Sequence, residues 1–222
     1  MKDLSWGVLA VLVCTVSAVS GQEDSNSRVE RDRGVSPKPV KKPCCLPYKF
    51  QAITVDLKSF QYDKEQTSRL YRNWESRIQV MDEIKYTEGG IVSTIYRVIL
   101  DYKNKLRYVI VGDDCKDPVP LNSGMLEPCM PDSARYLGKS YIGAYDNTAD
   151  FDAWYFRRTD QNRDIEMTIA VTADRCVPVM EHIAGTMARM PTDNLVLFTN
   201  VTDVQDDSVF RIPQSCLDKI RM

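Results

Sequence analysis

His182, in the segment VMEHIAG, is the only histidine of a 222-residue chain that carries 31 aspartates and glutamates. A hydrolytic triad needs a base that takes a proton near neutral pH, usually a histidine held beside a nucleophile. No G-x-S-x-G accompanies His182, and no G-x-x-x-x-G-K loop is present to cradle phosphates. Chance pairs of carboxylates are numerous but share no spacing that singles one out. The chain therefore reads as non-enzymatic and without an organic cofactor. A hydrolase is the weakest reading, and His182 is expected at the surface or on a pocket rim. The acidic clusters suggest a different chemistry. Asp113, Asp114 and Asp117 surround Cys115, and Asp203, Asp206 and Asp207 fall in TDVQDDS. Hard cations want several oxygens in one place. Neither cluster follows the EF-hand pattern, so both read as solvated acidic turns, with calcium the one metal they suggest.

The cysteines say more. The start, MKDLSWGVLAVLVCTVSAVSGQ, has a thin positive end, an apolar run from Trp6 to Val16 and small residues up to Gly21. That is the layout of a secretory signal over residues 1–21, and the run falls short of the ~20 apolar residues that span a bilayer. No later stretch reads as a transmembrane segment. Of seven cysteines, Cys14 lies in this signal, leaving Cys44, Cys45, Cys115, Cys129, Cys176 and Cys216. An even number of thiols in an oxidising compartment points to disulfides. Zinc is poorly supplied, since no C-x-x-C occurs and there is one histidine. Neighbouring α-carbons lie ~3.8 Å apart, below the usual disulfide range, so Cys44 and Cys45 are expected to reach different partners.

A formal net charge of −2 gives no field to hold nucleic acid or anionic lipid surfaces. Residues 22–43, QEDSNSRVERDRGVSPKPVKKP, are charged and proline-dotted, and read as a disordered polar leader. Asn200-Val201-Thr202 is a glycosylation sequon.

From Cys44 onward the texture is period two, the mark of strands with one buried face. Ile53, Val55 and Leu57 alternate with polar residues, as do Leu106, Tyr108 and Ile110, and Ile165, Met167, Ile169 and Val171. Tyr96, Val98 and Leu100 share a face opposite Ile99 and Asp101. Further strands are expected around 66–74, 76–86, 151–158, 176–184 and 194–202. Polar turns between them make antiparallel hairpins, and hence a sandwich or open barrel in a single domain over 44–222. The proline- and glycine-rich stretch 117–140 divides the strands into two groups. Short helices are expected near 132–137 and after Ser208.

A proline-cysteine opening, the hairpin YRVILDYKNKLRYVIVGDDC, then RCVPV, and finally DDSVFRIPQSC follow one another in this chain. In this order and spacing they resemble the ependymin and ependymin-related protein family. The resemblance covers nearly everything from Cys44 to Cys216. It implies a mostly β fold of two antiparallel sheets, arranged like the half-barrels of bacterial lipoprotein carriers around a deep apolar pocket. It also implies a homodimer. It pairs Cys44 or Cys45 with Cys176, and Cys115 with Cys216, with Cys129 bridging the other member of the vicinal pair. The chain departs from the vertebrate pattern there, lacking a cysteine beyond the last helix and carrying Cys129 instead.

On this resemblance the core-facing residues become pocket candidates: Ile53, Val55, Leu57, Tyr96, Val98, Leu100, Leu106, Tyr108, Ile110, Trp154, Phe156, Ile165, Met167, Ile169 and Val171. The implied function is non-catalytic binding of a hydrophobic small molecule or lipid, such as a fatty acyl chain, by a secreted glycoprotein in extracellular or lysosomal fluid. The family's link to calcium leaves a calcium response open. The alternative is a calcium-dependent extracellular-matrix or cell-adhesion protein.

Overall fold

The computed structural model describes residues 41–58, 67–86, 92–144 and 147–220. The signal segment and residues 22–40 of the polar leader lie outside the described residues. Twelve strands make up most of the remainder: β1 (Lys49–Asp56), β2 (Thr67–Asn73), β3 (Ile78–Tyr86), β4 (Val92–Asp101), β5 (Leu106–Val111), β6 (Asp114–Cys115), β7 (Val119–Pro120), β8 (Arg135–Ala144), β9 (Asn147–Asp160), β10 (Arg163–Thr172), β11 (Pro178–Met187) and β12 (Met190–Thr202). A 3-10 turn at Asp207–Phe210 and helix α1 (Gln214–Asp218) complete the chain's described elements.

The expectation of two sheets is corrected. The strands form one antiparallel, open sheet in the order β6-β5-β4-β3-β2-β1-β12-β11-β10-β9-β8, with β7 pairing β5. Hairpins account for most neighbours. The exception is β1, which pairs with β2 on one side and with β12 on the other. That seam joins the two strand groups that the 117–140 stretch separates in sequence.

Cross-strand partners share a face of a sheet, so the pairing shows which residues lie together. Tyr71 is opposite Val80, Val80 opposite Ile99, and Ile99 opposite Tyr108. These pack with Ile110 and Cys115 under Val204, Phe210 and Cys216 of the C-terminal tail. The opposite face carries a second core. Ile169 lies between Trp154 and Glu181, and Met167 between Phe156 and Ile183. Leu46, Met130 and Cys176 pack on them. A third cluster on this same face, Phe50, Ala52, Leu70 and Phe198, spans the β1–β12 seam.

One local expectation changes and another, the short helix after Ser208, holds. Residues 132–137 form no helix: the Ala134 N–H donates to the Pro131 carbonyl at 2.8 Å, closing a turn, and β8 starts at Arg135. Tyr136 then pairs with Trp154, their rings 5.0 Å apart. After the last strand, the Asp206 carboxylate accepts from the Ser208 N–H and starts the 3-10 turn. Pro213 stands at the N-terminus of α1, where its missing N–H costs nothing.

Three disulfides fasten this arrangement: Cys44–Cys176, Cys45–Cys129 and Cys115–Cys216, over separations of 132, 84 and 101 residues. In the chain-entropy model a loop near this length contributes about 4–5 kcal/mol. The vicinal pair thus ties the start of the domain to the β10–β11 turn and, separately, to the segment before β8. Removing one partner frees the other. Cys44→Ser should release a single reactive thiol at Cys176, and Cys45→Ser one at Cys129. Thiol labelling with peptide mapping checks this, and labelling of one common cysteine in both variants would contradict the pairing.

Candidate functional site

Leu70, Met81 and Leu100 on β2–β4 line one cavity together with Ile183 on β11 and Val196 and Phe198 on β12. Its volume is about 330 Å³. Five strand-to-strand steps separate β4 from β11 in the sheet order, roughly 24 Å if the sheet were flat at ~4.8 Å a step. Residues so far apart along the sheet share a small cavity because the sheet curls over itself. The cavity-facing side is the concave one. The segment Ser123–Leu126 roofs the space, and the Trp74 indole N–H donates to the Leu126 carbonyl at 2.7 Å to hold that roof. Gly124 and Asn194, both exposed, mark where the cavity meets solvent.

The walls are apolar but one region is not. Arg72 and Gln79 are cross-strand partners, and the Arg72 Nε donates to Gln79 Oε1 at 3.0 Å. The guanidinium also lies 5.3 Å from the Trp74 ring centre and 5.9 Å from that of Phe50, contacts that favour a cation held away from water. Glu181 enters the cavity from β11 and is 7% exposed. Among the described residues, no group hydrogen-bonds to its carboxyl. Burial pushes this carboxyl above the usual carboxylate range, and the positive charge of Arg72 pulls the other way. Tyr102, also lining the cavity, has its hydroxyl pushed up chiefly by burial.

The structure distributes the sequence candidates widely. Leu100 lines this cavity, and Val98 lies half-buried on the same face of β4. Trp154, Phe156, Ile165, Met167, Ile169 and Val171 are packed core against Leu46 and Met130 rather than cavity wall. Tyr108 and Ile110 are buried on the convex face beneath the tail, with Leu106 beside them. Tyr96 and Ile110 also border a separate surface cleft next to α1. Ile53 and Val55 point away from the cavity, because Phe50 and Ala52 are the buried residues of β1. Leu57 follows the end of β1, its N–H donating to the Leu195 carbonyl at 2.8 Å. These corrections have one cause: both faces of the sheet are covered, so alternation alone cannot say which side is hollow.

The acidic clusters are engaged locally. Asp114 pairs with Lys116 at 2.7 Å, and Lys219 lies 3.7 Å from both Asp114 and Asp117. Asp207 meets Lys49 at 2.9 Å, Asp206 caps the 3-10 turn, and Asp113 and Asp203 are exposed. Among the described residues, no group of three or more acidic, cysteine or histidine side chains is placed to hold a metal. His182 lies on the convex face, its Nε2 3.0 Å from Asp193 Oδ1.

Arg72, Gln79 and Glu181 escaped the sequence reading. The signal was present: in LYRNW, Arg72 shares the phase of Leu70 and Trp74, and in EHI, Glu181 shares that of Ile183. A charge in phase with apolar neighbours marks a polar group on the buried face.

An unpartnered buried carboxyl has a stability consequence. Its raised folded-state pKa makes the native state hold a proton that the unfolded chain has released. That stabilisation is fully present below the unfolded value and is lost as pH rises through the folded one. Glu181→Gln should therefore raise stability at pH ~7, by about 1–3 kcal/mol, with the gain vanishing near pH ~4. Thermal melts at both pH values check it, and a variant less stable than the parent at neutral pH would contradict it.

No curated protein matches the chain. One solved structure, an uncharacterized conserved protein from Thermus thermophilus, is similar with a TM-score of 0.43 and 10% identity, over 76% of this chain and 87% of that one. A likeness at that level fixes neither fold nor function. The family comparison is different in kind: the Ependymin family model matches residues 92–216, from the first residue of β4 to the cysteine of α1 that closes the C-terminal bridge. The chain belongs to the ependymin family.

Proposed function

We propose that the protein is a secreted, non-catalytic binder of a hydrophobic ligand, a lipid or fatty acyl chain, which it sequesters or carries in extracellular or lysosomal fluid. The observation that supports this reading is the cavity of about 330 Å³ walled by Leu70, Met81, Leu100, Ile183, Val196 and Phe198. Ligand pockets typically start near ~300 Å³ and join mostly apolar walls to a few polar groups. Burying an acyl chain here contributes roughly 0.8 kcal/mol per methylene, so affinity needs little from hydrogen bonds. Family membership and three disulfides agree with an exported protein. No helix among the described residues is long and apolar enough to cross a membrane.

Glycosylation at Asn200 belongs to this reading. The register between β1 and β12 shifts between Gln51 and Ile53, and Asn200 stands in the bulge with φ 51°. Asparagine tolerates that conformation better than most residues. The bulge turns its side chain outward, and Asn200 is exposed although VLFTNV around it is apolar.

Native mass spectrometry of protein purified from its own tissue tests the reading. The expected spectrum shows a retained lipid, together with a glycan that disappears in Asn200→Gln. Lipid-free protein that self-associates only with calcium would contradict carriage and favour the adhesion reading.

A further inference from the structure

We propose that Arg72, Gln79 and Glu181 form a headgroup site inside the cavity for the carboxyl end of a single-chain amphiphile. The inference rests on the cavity's being a ligand pocket and goes further by assigning the polar group of the ligand. Arg72 and Glu181 are 9% and 7% exposed, and both line the cavity. Among the described residues, no acidic group comes within ion-pairing distance of Arg72, whose hydrogen bond runs from Nε to Gln79. Its outer guanidinium nitrogens remain for a guest. A buried guanidinium without a counter-charge is costly, as is a buried carboxyl without a partner. The two stand in one cavity without touching, and a carboxyl group between them meets the needs of both.

The chemistry selects among headgroups. A carboxylate matches the planar fork of an arginine with two parallel hydrogen bonds. Burial pushes the Glu181 carboxyl above the usual carboxylate range, and in its protonated form it donates its O–H to a carboxylate oxygen rather than repelling it. The ring contacts to Phe50 and Trp74 and the bond to Gln79 fix the guanidinium plane before a ligand arrives, which lowers the ordering cost of binding. An alcohol or ester can accept from Arg72 but supplies no charge. An amine would place one cation against another. The apolar residues Leu70, Met81, Ile183 and Phe198 then surround the chain of the amphiphile.

The test compares decanoic acid, decanol, methyl decanoate and decylamine by calorimetric titration into delipidated full-length protein at neutral pH. The same titrations are run on Arg72→Met, with its fold checked by circular dichroism. The acid should bind the parent at least about tenfold tighter than the alcohol or the ester, with the amine weakest. Arg72→Met should lose the preference while keeping its affinity for the alcohol. Equal binding of acid and ester by the parent overturns the inference and leaves the pocket reading intact, as does a retained acid preference in Arg72→Met. Failure of the parent to bind any of the four overturns both. The comparison within the parent protein decides the matter even where Arg72→Met does not fold.

Discussion

Hydrogen bonding between β1 and β12 is the interaction on which the rest of the structure depends. It joins the first antiparallel run of strands to the last and makes them one sheet. Without it, β4 and β11 would belong to separate layers, and their side chains would have no reason to line one space. With it, the sheet curls, and a side chain on β2 feels the charge of one on β11: Arg72 acts on the Glu181 carboxyl across the concave side. The seam is reinforced from within by Phe50, Ala52, Leu70 and Phe198. Its single irregularity, the bulge at Asn200, lies near its exposed end.

Both faces of the curled sheet are covered by segments that disulfides hold in place. Cys115–Cys216 holds the C-terminal tail on the convex face, where Phe210 and Val204 cover Tyr71, Val80 and Ile99. On the concave face, Cys44–Cys176 and Cys45–Cys129 fix the chain's entry and the segment before β8. The bond from the Leu46 N–H to the Pro128 carbonyl and that from the Met130 N–H to the Cys44 carbonyl run alongside. This plug fills the concave side over β9 and β10 and stops short of β2–β4, where the cavity lies. Over β9 and β10 the concave face is covered by packed side chains, and over β2–β4 a cavity with charged groups in it remains.

Much of the fold was legible in the sequence because period two is a local property. The strands at β1, β4, β5 and β10 announce themselves by alternation, and the separate partners of Cys44 and Cys45 follow from the geometry of adjacent residues. What the sequence hides is long-range. The β1–β12 pairing depends on residues about 150 apart (Gln51 with Thr202, for instance), and no local pattern encodes it. Alternation also assumes one buried face. Ile99, with no exposed surface, lies beneath the tail, while Leu100 beside it faces the cavity; both are apolar, and the sequence cannot rank them. Strand β8 was obscured by its glycines and by exposure of most of its side chains, which leave it little apolar rhythm. Arg72 and Glu181 were legible in principle, each a charge in phase with apolar neighbours.

The central claim is that the hollow between the two halves of the curled sheet is where ligand resides. Filling it by substitution tests this most directly. Leu100→Trp places an indole into the cavity from β4, where the present side chain is half-buried and the backbone is regular strand. The measurement is the lipid content of the purified variant, with its melting temperature recorded beside it. The account predicts a folded protein that carries no lipid. A variant that folds and still carries the parent's full complement would show that the ligand resides elsewhere.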